Sequence, residues 1–205
     1  MTKADKITMV RVVLSPVFFL VYYIPTVVTG AGWLERVSVY ILVPLFIVME
    51  LTDYFDGLAA RKLGEVSDFG KLFDPFGDVL THLVMMLCFV VDGYMPPYLY
   101  VVVLMREYGM LFMRMLLVRQ GVAMGARKGG KFKTVLYVAG CALSLGLESC
   151  TRLGVWEEVP GRLVAACGWL YGAGALAAVA SFADYLVQYR KITEQEKEGE
   201  SKKGY

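Results

Sequence analysis

Residues 12–34 read VVLSPVFFLVYYIPTVVTGAGWL, with no charged side chain between Arg11 and Glu35. As a helix rising about 1.5 Å per residue, this run of 23 residues crosses a hydrocarbon core about 30 Å thick. A second run, LVAACGWLYGAGALAAVASFA (163–183), covers 21 residues between Arg162 and Asp184 with the same property. The rest of the chain agrees: of 205 residues, 57% are hydrophobic and 20% charged, and the mean hydropathy is +0.54. A soluble domain has about 45–50% apolar and about 25% charged residues. A soluble globule, a disordered chain and a disulfide-stapled secreted module are thereby excluded. The sequence predicts a polytopic membrane protein.

Working outward, four shorter charge-free runs stand at 37–49, 79–91, 93–105 and 134–147, each of 13 or 14 residues. Each extends through neighbouring polar positions into a full span. The expected fold is all-α: six transmembrane helices at 8–30, 34–62, 70–91, 96–120, 131–152 and 160–189. Gly30, Gly64, Gly93 with Pro96 and Pro97, Gly121, Gly129/Gly130 and Pro160 punctuate them. One domain over 1–189 is followed by a polar cytoplasmic tail over 190–205. Lys3, Lys6 and Arg11 precede the first apolar run as in a signal peptide, but the run is too long for one and has no small-residue cleavage site, so it reads as a retained span. Cys88, Cys141, Cys150 and Cys167 are scattered without CxxC pairing and read as small packing residues.

Orientation follows from the basic residues. With the N-terminus in the cytoplasm, 16 of the 21 lysines and arginines lie inside. Arg36, Arg152 and Arg162 lie outside, and Arg106 and Arg114 fall within span four. Both termini are therefore expected on the cytoplasmic side of the inner membrane. In this topology the charges that shorten spans two to five all fall in the cytoplasmic half. Four buried aspartates would cost roughly 10–14 kcal/mol on insertion scales if unmatched. A polar cavity opening to the cytoplasm resolves that cost.

The acids lie in DYFDGLAARKLGEVSDFGKLFDPFGD (53–78). Asp53 and Asp56 are three apart on span two, and Gly57 and Ala60 continue their stripe to Arg61; Gly70, Asp74 and Asp78 are spaced by four on span three. Residues at these spacings share a helix face, and a short loop near Gly64 lets the two faces oppose each other. Four convergent carboxylates repel one another unless cations balance them. Two divalent ions would do so, and ligation by oxygen alone selects Mg²⁺ or Mn²⁺ over zinc. The small residues leave room for a bulky ligand, and Arg61 offers a fork for a phosphate. Metals, an arginine and such room suggest phosphoryl transfer.

The spacing DxxDGxxARx8GxxxDxxxD resembles the signature of the CDP-alcohol phosphotransferases at every defining position, and the resemblance extends over essentially the whole chain. It implies that Asp53, Asp56, Asp74 and Asp78 surround two metal ions, with Asp78 as base on the acceptor hydroxyl. It also implies that Asp53, Gly57, Ala60, Arg61 and Gly70 line the CDP site. Three stretches further resemble the phosphatidylglycerophosphate synthases: Ile7-Thr8-Met9-Val10-Arg11 through Pro16 to Pro25, Arg106-Glu107 with Arg114, and Gly130-Lys131-Phe132-Lys133-Thr134. Arg106, Arg114, Lys131 and Lys133 form a positive wall suited to an acceptor that carries its own phosphate. The implied reaction moves a phosphatidyl group from CDP-diacylglycerol to sn-glycerol 3-phosphate and releases CMP. The expected partners are those substrates, membrane lipid and a second copy of the chain; nucleic acid is not among them. Synthases of this type often carry Lys after the last motif Asp, where Val79 stands here.

Alternatives remain at this stage. The same chemistry accommodates inositol phosphate, serine, a choline-type alcohol or phosphatidylglycerol as acceptor. An acidic quartet in a membrane also marks ion paths, so a divalent-cation transporter is the reading from another class, although it does not require Gly57, Ala60 and Arg61 at these offsets. His82 reads as a core histidine, and Glu65 and Asp68 as members of a solvated loop. Glu50 is expected to pair with Arg11 or an arginine of span four, and Glu107 to orient Arg114. Gly168, Gly172 and Gly174 let helices approach closely, which favours packing within the chain over a dimer seam.

Overall fold

The computed structural model describes the backbone of residues 3–28, 31–63, 68–119 and 128–203, and the side chains of 6–28, 31–52, 70, 72–118 and 132–190. Six helices follow in order: α1 (Lys3–Val27), α2 (Gly32–Leu63), α3 (Asp68–Val91), α4 (Pro97–Arg119), α5 (Lys128–Arg152) and α6 (Gly161–Lys203). Among the described residues there is no strand. Breaks fall where the backbone demands them. Gly93 and Gly154 adopt φ of +80° and +75°, and at the end of α5 the Val155 amide returns to the Cys150 carbonyl at 2.9 Å, closing the helix in a left-handed cap. Pro97 opens α4, at a position where a missing N–H costs nothing.

The faces of α1 are inverted relative to a soluble helix. Thr8, Arg11, Ser15, Phe18 and Tyr22 recur every three or four residues and are buried, whereas Val13, Val17, Leu20 and Ile24 are exposed. A helix that hides its polar groups and shows its valines is solvated by lipid. Among the described residues, four stretches are long and apolar enough to cross a membrane: Lys6–Val27, Leu72–Val91, Phe132–Arg152 and Gly161–Arg190. Helices α2 and α4 are of spanning length too, but α2 carries Glu50, Asp53 and Asp56, and α4 carries Arg106, Glu107 and Arg114. The chain is a polytopic membrane protein.

Cross-helix contacts fix the directions. Helix α1 packs along both α2 and α3. Thr8 meets Asp74 and Ser15 meets Thr81 with the same sequence offset of 66, so α1 and α3 run parallel in strict register. His82 lies beside Tyr137, and Tyr94 bonds Glu148 twelve and eleven residues further on, so α3 and α5 are parallel as well. Arg106 reaches Ala178 and Ser181, setting α4 along α6. Helices α5 and α6 approach most closely where glycine faces aromatic ring: a Cβ on Gly140 would sit 2.7 Å from the Tyr171 ring, and one on Gly174 would sit 2.9 Å from that of Tyr137. Gly174 thus serves packing within the chain, as expected, while a Cβ at Gly168 would meet nothing within 4 Å. The core centres on Phe18, Tyr22, Met49, Met86, Phe89 and Tyr171, and the cysteines are free, three of them buried.

Helix bounds match the sequence reading to within a few residues, except that α6 continues to Lys203 rather than ending at 189. The polar stretch after Tyr189 has helical reasons to continue. Arg190 and Glu194, and Glu198 and Lys202, are four apart, a spacing that supports exposed helix.

Candidate active site

Helices α1 and α3 build the described half of the carboxylate site. Thr8 Oγ1 donates to Asp74 Oδ1 at 2.7 Å, and Arg11 Nη2 lies 2.8 Å from Asp78 Oδ1. The close approach that permits both contacts comes from Gly77, where a Cβ would stand 2.6 Å from Thr8 Cγ2. One turn further along, the Ser15 and Thr81 hydroxyls meet at 3.0 Å, and Ser15 Oγ also donates to the Arg11 carbonyl at 2.8 Å. Exposure separates the partners: the Asp78 side chain is 43% exposed and that of Arg11 only 2%. The acid is the accessible partner, and the arginine stands behind it.

Gly70 is buried and Asp74 half-buried on the same helix. His82 is buried, and its Nδ1 donates to the Asp78 carbonyl at 2.8 Å. Its Nε2 lies 3.7 Å from Glu50 Oε1, so α2 and α3 meet at this level. This is the core histidine the sequence suggested, tied by its backbone bond to the helix that carries Asp78. Val79 packs against the apolar core.

The side chains of Asp53, Asp56, Gly57, Ala60, Arg61, Asp68 and Lys131 lie outside the described residues, as does Glu65 altogether. The backbone of α2 is helical from Asp53 to Arg61, so their expected helical spacing holds. Among the described residues no three metal-ligating side chains gather, since only Asp74 and Asp78 of the motif acids are described.

The basic residues divide by what they already hold. Arg106 is buried and donates through Nε to the Ala178 carbonyl at 3.0 Å, through Nη1 to Glu107 at 2.8 Å and through Nη2 to Ser181 Oγ at 2.6 Å. Glu107 also receives Lys133 Nζ, and the Tyr137 hydroxyl at 3.4 Å. The expectation that Glu107 orients Arg114 is corrected: it holds Arg106 and Lys133 instead. Seven residues separate Glu107 from Arg114 along α4, a rise of about 10 Å, which a glutamate cannot bridge. Arg114 faces the Tyr185 hydroxyl of α6, and among the described residues its Nε is buried without a hydrogen-bond partner of its own. Thr8, which the sequence reading did not place among the site residues, left one signal, a hydroxyl three residues before Arg11 on the buried stripe of α1.

Parallel α3 and α5 put these groups at one depth. With His82 beside Tyr137, the residues one turn earlier on each helix are Asp78 and Lys133. Carboxylates, a lysine and a family of buried cations therefore share one end of the bundle, the arrangement of a membrane enzyme acting on phosphate esters. The family model of CDP-alcohol phosphatidyltransferases matches residues 1–172, and the chain belongs to that family. It is 37% identical over 199 residues to the CDP-diacylglycerol–glycerol-3-phosphate 3-phosphatidyltransferase of Treponema pallidum (strain Nichols), covering 94% of this chain and 91% of that protein. The enzyme of the same name from Bacillus subtilis (strain 168) is 33% identical over 136 residues, with 63% and 69% covered. A probable phosphatidylglycerophosphate synthase of Mycobacterium tuberculosis (strain CDC 1551 / Oshkosh) is 32% identical over 144 residues, with 70% and 64% covered.

Proposed function

We propose that this enzyme transfers a phosphatidyl group from CDP-diacylglycerol to a hydroxyl of sn-glycerol 3-phosphate, releasing CMP, as a step of phospholipid biosynthesis. The observation that carries the reading is the common level of Asp78 and Lys133 on parallel helices. A base and a phosphate-binding cation must both reach an acceptor that has a hydroxyl at one end and a phosphate at the other. A neutral alcohol would leave the cations without purpose.

The residues present fit divalent ions. Asp74 and Asp78 offer oxygen donors, Asp78 on an accessible side chain, which suits Mg²⁺ or Mn²⁺. With α2 antiparallel to α3 and Glu50 beside His82, Asp53 and Asp56 would stand one and two turns toward the same end. Asp53, Asp56, Asp74 and Asp78 would then hold two ions. When bound, these supply charge neutralisation for the diphosphate and the departing CMP. Gly57, Ala60, Arg61 and Gly70 receive the CDP moiety beside Asp53, with the acyl chains in lipid. Asp78 takes the proton of the acceptor hydroxyl, whose oxygen attacks the lipid-side phosphorus; the bond to the CMP oxygen breaks. Lys133, Arg114 and Lys131 hold the acceptor phosphate, with Arg106 anchoring the wall. All six helices span the inner membrane with both termini and the cavity on the cytoplasmic side, and two copies associate.

The test is CMP release by purified protein across a panel of acceptors, with Mg²⁺ and with EDTA. Glycerol 3-phosphate should support release that EDTA abolishes and that Asp78→Asn lowers by about 10³-fold or more, in line with loss of both base catalysis and a metal ligand. Equal turnover by D78N, or product from serine or inositol phosphate but none from glycerol 3-phosphate, overturns the assignment.

A further inference from the structure

Helix α1 lies outside the motif that spans residues 53–78, yet it supplies the two side chains that hold the α3 carboxylates. We propose that Thr8 and Arg11 are positioning residues of the active site: Thr8 orients Asp74 as a ligand, and Arg11 orients Asp78 toward the acceptor. The inference deepens the proposed function and rests on its two-metal reading.

Burial decides the kind of role. Thr8 is fully buried and Arg11 is 1% exposed, so neither can touch a substrate that comes to the accessible carboxylate of Asp78. Both act on Oδ1 of their carboxylate, at 2.7 Å and 2.8 Å, and so set the direction of the second oxygen. The register is rigid. The Ser15–Thr81 contact repeats the Thr8–Asp74 offset one level deeper, and Gly77 brings the helices together between the two acids. A slide of α1 by one residue would break every rung at once. Arg11 also meets the charge of a carboxylate inside the bundle before any ion arrives, so Asp78 is held in place in the metal-free enzyme.

The test uses the full chain in detergent with Mn²⁺ as probe, its binding read from the loss of the free-ion electron paramagnetic resonance signal without nucleotide. Thr8→Val keeps the shape and removes the donor; it should weaken Mn²⁺ binding by about tenfold or more, the usual effect of removing a hydrogen bond to a metal ligand. Thr8→Ser should restore it to within about threefold of wild type. Arg11→Met should lower kcat by about tenfold or more at saturating Mn²⁺ while KM for CDP-diacylglycerol changes far less, with Arg11→Lys recovering part of kcat. Wild-type Mn²⁺ affinity in T8V, or wild-type kcat in R11M, overturns the proposal. If R11M does not fold, the isosteric T8V with its T8S rescue decides. Failure of the unsubstituted enzyme to bind Mn²⁺ at all would instead sink the metal reading, and the two failures are thus distinct.

Discussion

Gly77→Ala tests the α1–α3 interface, because its sign is set by a competition between two known terms. In a helix interior, alanine is ordinarily favoured over glycine by about 0.5–1 kcal/mol. Here the new methyl would stand 2.6 Å from Thr8 Cγ2, about 0.8 Å inside the 3.4 Å edge of ordinary contact, while its other side-chain neighbour, Val12 Cγ2 at 3.5 Å, is acceptable. Thr8 cannot turn its methyl aside cheaply. Its χ1 is stiff, and rotation withdraws the hydroxyl from Asp74, a bond to a charged acceptor worth about 1.5–3 kcal/mol. The other escape, separating the helices, costs about 1–3 kcal/mol as overpacking does elsewhere. Either route exceeds the propensity gain, so G77A should be destabilised by about 1–2 kcal/mol net.

The decisive measurement is the double mutant. Thr8→Ser deletes the clashing methyl and keeps the hydroxyl, so G77A/T8S should regain much of the thermal stability and CMP release that G77A loses. Neighbouring residues couple by about 0.5–3 kcal/mol; a coupling near 1.4 kcal/mol would appear as about a tenfold difference in rate if it falls on catalysis. Strict additivity of the two substitutions, or a G77A enzyme more stable than wild type and fully active, would refute the close approach described here.

Three further outcomes are expected. Lys133→Ala should raise KM for glycerol 3-phosphate by about tenfold or more while leaving KM for CDP-diacylglycerol much less affected, since a charge-assisted phosphate contact is worth about 1.5–3 kcal/mol; equal effects on both substrates would remove Lys133 from the acceptor site. Arg106→Met should act on folding, lowering the unfolding temperature, because it takes donors from Ala178, Ser181 and Glu107 and breaking a buried pair costs about 3–5 kcal/mol. Arg152→Met, at the opposite end of the bundle, should cost stability by a similar route. Arg152 pairs with Glu148 at 2.7 Å, donates to the Tyr22 carbonyl and Ser38, and lies 4.4 Å from the Tyr22 ring centroid. Turnover per folded R152M molecule should match wild type, since Tyr22 is eleven residues, about 16 Å, from Arg11 along α1.

The fold was legible because lipid imposes simple demands. Charge-free runs long enough for a bilayer can only be helices, and Gly93 and Pro97 mark their ends by backbone chemistry alone. The last helix runs past the expected end at 189 because hydropathy marks where the apolar run stops, while the charge spacing of the polar tail supports helix beyond it. The motif acids were legible as a helical spacing, and of these Asp74 and Asp78 are described on one face of α3. Which helix stands against them was not. Thr8 is a single hydroxyl, and its reach to Asp74 depends on the α1–α3 register, which arises from Gly77 and the Ser15–Thr81 contact across 66 residues of sequence. Glu107 was misassigned because residues seven apart share a helix face, while their separation along the axis exceeds the length of a glutamate.

Acceptor choice follows from which cations the fold has already consumed. Arg11 is spent on Asp78, Arg106 on Ala178, Ser181 and Glu107, and Arg152 on the far end. Lys133 differs: it shares Glu107 with Arg106, so two positive charges face one carboxylate and the group retains a net positive charge beside Asp78. Arg114 adds a second cation whose Nε has no hydrogen-bond partner among the described residues. An incoming phosphate dianion would find excess positive charge held in place by a glutamate, and would not have to break that glutamate's bonds to both partners. An acceptor that brings no net negative charge, such as zwitterionic serine or a cationic choline-type alcohol, would leave the same charge uncompensated in a low-dielectric site. On the acceptor site proposed above, Glu107→Gln, by adding to the uncompensated charge, should tighten inorganic phosphate as a competitive inhibitor even as it weakens the fold. Unchanged phosphate inhibition in a folded E107Q enzyme would separate this cluster from acceptor recognition.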